Sequence, residues 1–141
     1  MASAMDVDAN KLNAKVAAKL KEMGVQQPAF VGLVKSGPQA DRPPQHEDFF
    51  FVRCASMMRQ AYTRNVIGVQ RLRLHYGGKK NRGVKPNRHV RTGGSTIRKA
   101  FQALEKAGLM EKVEKGLARG RRLTPKGRKL LDQSAKEVKK G

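Results

Sequence analysis

Residues 109–131 read LMEKVEKGLARGRRLTPKGRKLL, with the rhythm of a strand, a turn, a returning strand and a helix. Residues 109–115 carry a strand pattern, 116–120 hold the glycines of a turn, and 121–123 return as a second strand. Thr124 is placed to cap a following helix and Pro125 to open it, with Leu130, Leu131 and Val138 as its buried side. Just upstream, Ile97, Phe101 and Leu104 recur at i, i+4 and i+7, the spacing of one helix face. Ser95 is the expected N-cap of that helix, 96–107 its span, and Gly108 its C′ residue. Helix, helix, then a two-stranded wing is the winged form of helix-turn-helix. The expected fold class is therefore mainly α, a winged-helix-like helical domain around a central amphipathic helix, with a small β-hairpin wing.

That central helix lies at FFFVRCASMMRQAYTR, residues 49–64. Asp48 is its expected cap. At 100° per residue, Phe51, Ala55, Met58 and Tyr62 form one narrow apolar stripe. Arg53, Met57, Gln60 and Arg64 fall opposite, with Arg59 on the flank. These arginines are either solubilising surface groups or nucleic-acid contacts. Before them, Asp8 or Asn10 caps a first helix with Leu12, Val16, Leu20 and Met23 on one face, ended by Gly24. Its lysines, 11, 15, 19 and 21, need no reading beyond a solvated side. Pro28 opens a short second helix over 29–34, burying Phe30, Val31 and Val34. Residues 36–48 form a turn-rich loop. Residues 69–76 give a short helix on Val69, Leu72 and Tyr76, with Arg71 and Arg73 pointing away. The whole chain, 1–141, is expected to be one domain with flexible ends at 1–8 and 137–141.

Between that short helix and the one at 96–107 lies a basic, glycine-rich insert, residues 77–94, too long for a bare connection. Residues 79–89 suit a small hairpin turning at 81–85. From Arg71 to Lys99 there are ten Lys/Arg and no Asp or Glu. Residues 1–64 carry nine Lys/Arg and six Asp/Glu, a balance of +3, against 22 and five, or +17, for 65–141. A run of one sign repels itself unless something anionic neutralises it, and the simplest polyanion is nucleic acid. Gly93-Gly94-Ser95-Thr96 reads as a phosphate seat at a helix start, since Arg98 stands where a capping box would put a carboxylate. The alternative is an ordinary glycine loop before a cap.

Other chemistries find little support. His46, His75 and His89 are scattered, and no His/Cys/Asp/Glu spacing suits a metal. Residues 78–84 fail the phosphate-loop pattern, which needs Gly-Lys-Ser/Thr. Cys54 and Ser56 have no companion base in sequence reach, so no enzyme, cofactor or metal is expected. Cys54 reads as a small core residue, and a lone cysteine suits a reducing compartment. No signal pattern or membrane-spanning run occurs. With no Trp and few aromatics, a base-stacking platform is disfavoured.

Several spaced motifs carry a resemblance. The 49–64 segment is similar to the aromatic–Arg–Ala-Ser–Arg–Tyr helix of the eukaryotic and archaeal small-subunit ribosomal protein family called nineteen-e. YGGKKNRGVKPNRHVRTGGSTIRKAFQALEKAGLMEK, residues 76–112, follows its Tyr-Gly-Gly, Asn-Arg-Gly-Val, Pro-x-x-His and Gln-Ala-Leu-Glu segments. GRRLTPKGRKLLD, residues 120–132, resembles its closing Leu-Thr-Pro-x-Gly. The match runs from about residue 31 to the end. Departures lie early: Phe30 stands where the family usually has Trp, and Cys54, Met57 and Met58 replace smaller residues.

The resemblance implies a helical winged fold packed around the third expected helix. It implies a structural component of the 40S head that contacts 18S rRNA and neighbouring head proteins. It also implies a role in pre-40S maturation and in processing at the 3′ side of 18S. Location would be the cytoplasmic ribosome, with passage through the nucleolus and nucleus during assembly. Family residues important for assembly map onto Arg53, Arg59 and Arg98, with Lys99 nearby. The expected rRNA-binding set is Arg53, Arg59, Arg64, Arg71, Arg73, Lys79, Lys80, Arg82, Lys85, Arg88, His89, Arg91, Gly93, Gly94, Ser95, Arg98, Lys99, Arg121 and Arg122. The competing reading is a winged-helix DNA-binding transcription regulator. Fold alone cannot separate the two, but a DNA-reading helix-turn-helix needs a tight turn where this chain has its basic insert.

Overall fold

The computed structural model describes residues 3–30, 35, 37, 38, 40, 42, 47–113 and 120–140. In chain order these form α1 (Ala9–Glu22), α2 (Phe49–Arg64), α3 (Val69–His75), β1 (Gly78–Arg82), β2 (Lys85–Val90), α4 (Gly94–Lys106), β3 (Met110–Val113), β4 (Gly120–Leu123) and α5 (Pro125–Lys140). The mainly helical, winged-helix-like expectation holds. The expected helix at 29–34 falls largely on residues outside the described set, as does His46; Ala29 and Phe30 lie in a turn.

α2 is the axis of the core, and α1, α4, α5 and β4 all pack against it. That enclosure explains one departure from the narrow-stripe reading. Met57, placed on the outer face by the 100° wheel, is fully buried along with Phe50, Cys54 and Ala61. A helix covered from several directions buries a wider arc than one lying on a single surface. Asp48 does precede the helix, but its carboxylate makes no cap bond and instead accepts from Lys21 Nζ at 3.0 Å. Tyr62 is half-buried, with its hydroxyl donating to Asp132 at 3.0 Å.

The ends of α1 and α4 follow from local chemistry. Asp8 accepts from the Lys11 N–H at 3.4 Å and starts α1. Both helices close with the same pair of bonds, Gly24 N–H to Lys21 and Val25 N–H to Leu20 in one, Gly108 N–H to Glu105 and Leu109 N–H to Leu104 in the other. The glycines take φ of +82° and +77°, the left-handed turn that this closure requires. Met23, expected on the buried face of α1, is 43% exposed because the chain has already turned off there; Ala17 is buried instead.

β3 and β4 pair antiparallel, Met110 opposite Leu123 and Val113 opposite Gly120. Ile67, between α2 and α3, adds a further rung to this wing: its N–H donates to Arg121 O at 2.9 Å and its carbonyl accepts from Arg121 N–H at 2.8 Å. Thr124 does cap α5, its Oγ1 accepting from Gly127 N–H at 3.3 Å and donating to Gly108 O at 2.7 Å. The inward face of α5 is Gly127, Leu131, Ser134 and Ala135, while Leu130 and Val138 are only half-buried. Gly127 sets that face, since a Cβ there would lie 2.3 Å from the Leu109 carbonyl oxygen.

Candidate nucleic-acid interface

The insert at 77–94 is a second hairpin. β1 and β2 pair antiparallel, Lys79 opposite His89, Lys80 opposite Arg88 and Arg82 opposite Lys85, with a bulge between Lys80 and Arg82. Gly83 turns at φ +75° and its N–H donates to Asn81 Oδ1 at 3.0 Å. Every residue from Lys79 to His89 is exposed. Two of the three charged cross-strand pairs oppose like charges, a juxtaposition that destabilises the pairing. An isolated two-stranded ribbon is marginal in water even without that cost.

The base of the hairpin is anchored by backbone. Thr92 N–H donates to the Arg73 carbonyl at 2.9 Å, and Arg73 Nε returns a bond to the Thr92 carbonyl at 2.9 Å. Gly77 allows the approach, because a Cβ there would meet the Val90 carbonyl oxygen at 2.2 Å. Arg73 therefore turns inward, against the expectation that it points away: its guanidinium is recruited by a buried loop carbonyl. Gln70 Oε1 lies 3.5 Å from Arg73 Nη1 and 3.3 Å from Arg91 Nη1, holding the two guanidiniums side by side.

α4 starts one turn corner from this anchor. Its N-cap is Gly93, not Ser95, and no side chain caps it. Ser95 is instead the second residue of the helix, because Gly93 at φ −65° and ψ 143° already provides the entry geometry. Arg98 Nη2 lies 3.5 Å from Ser95 Oγ. The Arg98 guanidinium folds back over Gly94, its Nη1 only 2.8 Å from where a Cβ would stand, with Arg73 Cδ at 3.4 Å. Arg53 shares a small hollow with Gly93 and Thr96. Three guanidiniums thus gather at the positive end of a helix dipole that carries no acidic residue in its first turn.

The arginines of α2 are not equivalent. Arg53 is packed between the rings of Phe49, 5.0 Å from its centroid, and Tyr76, 4.0 Å. Burial pushes its pKa down from the ordinary value, with Tyr76 opposing, yet a guanidinium remains charged. Tyr76 is fixed by Ser56 at 2.6 Å between hydroxyl oxygens. Arg59 is half-buried, and its Nε is out of reach of water with no partner among the described residues. Arg64 is exposed.

On the wing, Arg121 and Arg122 are already engaged. Arg121 Nε donates to Glu105 at 2.9 Å and its guanidinium lies 4.9 Å from the Phe101 ring centre. Arg122 Nε donates to Glu111, its cross-strand neighbour. The remaining cations of the expected set, Arg71, Lys79, Lys80, Arg82, Lys85, Arg88, Arg91, Arg98 and Lys99, are exposed, as is His89. None of these faces a carboxylate in any ion pair among the described residues. The structure thus brings the hairpin, the Arg73–Arg91 pair and the start of α4 to one corner. Gln70 was missed in the sequence, although its place three residues before Arg73 on one helix is a signal for pairing.

No group of three His, Cys, Asp or Glu side chains converges among the described residues. Burial pushes the Cys54 thiol up to about 12. His75 packs edge-on to Tyr76 at 4.9 Å, and burial, with Arg64 and Arg53 nearby, lowers its pKa from the ordinary value.

A winged helical domain with an exposed basic corner has the geometry of a polyanion-binding protein. Residues 3–141 match the family of ribosomal protein S19e, and the chain belongs to that family. It is 43% identical over 141 residues to the small ribosomal subunit protein eS19 of Aeropyrum pernix, covering 98% of this chain and 90% of that one. It is 44% identical over 133 residues to the eS19 protein of Emericella nidulans, covering 93% and 88%. With eS19A of Schizosaccharomyces pombe it shares 40% over 134 residues, 94% and 91% of the two chains. Membership makes this a structural ribosomal protein, and nothing in these matches favours the DNA-binding regulator.

Proposed function

We propose that the chain is built into the head of the small ribosomal subunit by binding 18S rRNA through its basic corner. Its assembly there is needed for pre-40S maturation and for processing at the 3′ side of 18S. The carrying observation is the run from Arg71 to Lys99, with ten Lys/Arg and no acid, folded into one exposed corner. Phosphate is the group such a corner lacks: it neutralises the cations, relieves the like-charge strand pairs and accepts from the free N–H groups of α4. The hairpin and the uncapped helix start are the main contacts, with Arg71, Arg91 and Lys99 beside them. Arg53 and Arg73 support the corner from within, and Arg121 and Arg122 contribute through the wing's own packing. Neighbouring head proteins adjoin the remaining surface. The protein works in the cytoplasmic ribosome and joins the particle in the nucleolus.

A DNA-reading role is disfavoured by geometry as well as by family. The hairpin stands between α3 and α4, where the tight turn of a helix-turn-helix should be. Residues 23–30 and the outer face of α4, at Lys99, Gln102 and Lys106, form the walls of one groove. The helix face that would enter a major groove is thus flanked by chain. The test is the salt dependence of binding to an 18S head-domain transcript. If about six to ten phosphates are neutralised, affinity falls by about 10³–10⁵ between 50 and 200 mM salt. A flat response removes phosphate contact as the main term.

A further inference from the structure

Register sorts the hairpin's charges onto unequal faces. Residues directly opposite in an antiparallel pair share a face, as do residues two apart on one strand. Lys80 opposes Arg88, Arg82 opposes Lys85, and Lys80 and Arg82 are two apart. All four cations therefore lie on one face. The other face holds Lys79 opposite His89, with Asn81 two residues along and turned into its bond with Gly83. The bulge matters here: it absorbs the extra residue of β2 between Lys85 and Arg88, so that both still face the same way as Lys80. Both faces are exposed, and none of the four cations has a carboxylate partner among the described residues.

We propose that this hairpin is a one-sided phosphate rail. The face formed by Lys80, Arg82, Lys85 and Arg88 lies along a single RNA sugar–phosphate backbone, and the face of Lys79 and His89 turns away from it, which removes these two from the rRNA-binding set expected from the sequence. The inference rests on the rRNA-binding reading above and sharpens it. A hairpin threaded between two RNA backbones would need cations on both sides; this one concentrates them. Same-face neighbours along a strand are about 6.8 Å apart and cross-strand neighbours about 4.5–5.5 Å. Long, flexible Lys and Arg side chains on that grid reach successive phosphates of one strand without needing to read bases. The chain's anchor at Gly77 and Thr92 holds the near end of the rail, so the hairpin extends the contact outward from the start of α4.

The test uses the full-length chain and an 18S head-domain transcript, with affinity measured across a salt series. Lys80→Gln, Arg88→Gln and Lys79→Gln each remove one charge from the exposed hairpin, the last from the opposite face, and their melting temperatures are followed in parallel. Each lost phosphate contact lowers the slope of log K against log[salt] by about 0.7–0.9. The expected result is that drop for Lys80→Gln and Arg88→Gln, no change for Lys79→Gln, and a drop of about 3 for the variant lacking all four rail cations. Equal drops for Lys79→Gln and Lys80→Gln would overturn the one-sided rail while leaving rRNA binding intact. A steep wild-type slope unchanged by the fourfold variant would do the same. A wild-type protein whose binding ignores salt would instead sink the rRNA-binding reading itself.

Discussion

Replacing Ser95 by aspartate separates folding from binding at the start of α4. Ser95 is the second residue of the helix, exposed and without a capping role. A carboxylate there meets the positive end of the dipole, a gain of about 0.3–1 kcal/mol. It also reaches Arg98, whose Nη2 is 3.5 Å from the serine oxygen, and an exposed pair of that kind adds about 0.2–1 kcal/mol. In a domain of this size each kcal/mol moves the melting temperature by about 2–5 °C, so the variant should melt at the wild-type temperature or a few degrees higher. Binding should move the other way. The new charge occupies the phosphate's place and takes up Arg98 as well. At about 5 Å and an effective dielectric between 80 and 20, the repulsion is about 1–3 kcal/mol. That corresponds to roughly 5- to 150-fold weaker binding. Thermal melts and transcript affinity on one preparation give both readouts. A variant as stable as the wild type that binds RNA equally well would refute a phosphate at this helix end.

Four further outcomes check the core and the corner. Leu104→Ala, at a fully buried position, should cost about 2–5 kcal/mol in denaturant unfolding; a loss under 1 kcal/mol would contradict a packed core there. Arg53→Ala removes a guanidinium held between two aromatic rings and should destabilise by about 1–2 kcal/mol. Arg98→Ala, on an exposed site, should stay within about 0.5 kcal/mol yet weaken transcript binding. Reversed stability ranks for these two would contradict their assigned places. Cys54, fully buried with its thiol pushed up to about 12, should resist a thiol reagent in the native protein and react once unfolded. Rapid native labelling would show that the helix opens easily.

The wing, α4 and the central helix were legible because each writes its geometry into local spacing. The i, i+4, i+7 recurrence of Ile97, Phe101 and Leu104 needs only the helix period, and Thr124-Pro125 needs only cap chemistry. The basic hairpin was legible for the same reason, since Asn81 and Gly83 mark its turn. What failed depended on tertiary surroundings. Met57 is buried because four elements enclose α2, and no single-helix wheel encodes that. Ser95 lost the cap to Gly93 because backbone geometry, not side-chain type, sets the helix entry. At the corner, the total charge was readable but its division of labour was not. Arg73 is drawn inward by the Thr92 carbonyl, Arg53 by the ring of Tyr76, which is distant in sequence, and Arg121 by Glu105 on a neighbouring element. Arg122 is the exception: its pairing with Glu111 follows once the wing's register is fixed.

We infer above all that the basic corner docks this protein onto the small subunit's rRNA. Sucrose-gradient fractionation of cell extract tests it most directly, with the wild type and the variant lacking Lys80, Arg82, Lys85 and Arg88 run in parallel. The wild type should sediment with 40S particles and their precursors. The variant, still folded by its melting temperature, should shift towards the free fractions at the top. A wild-type protein found only at the top, or a variant that remains fully with the 40S particles, would contradict the claim.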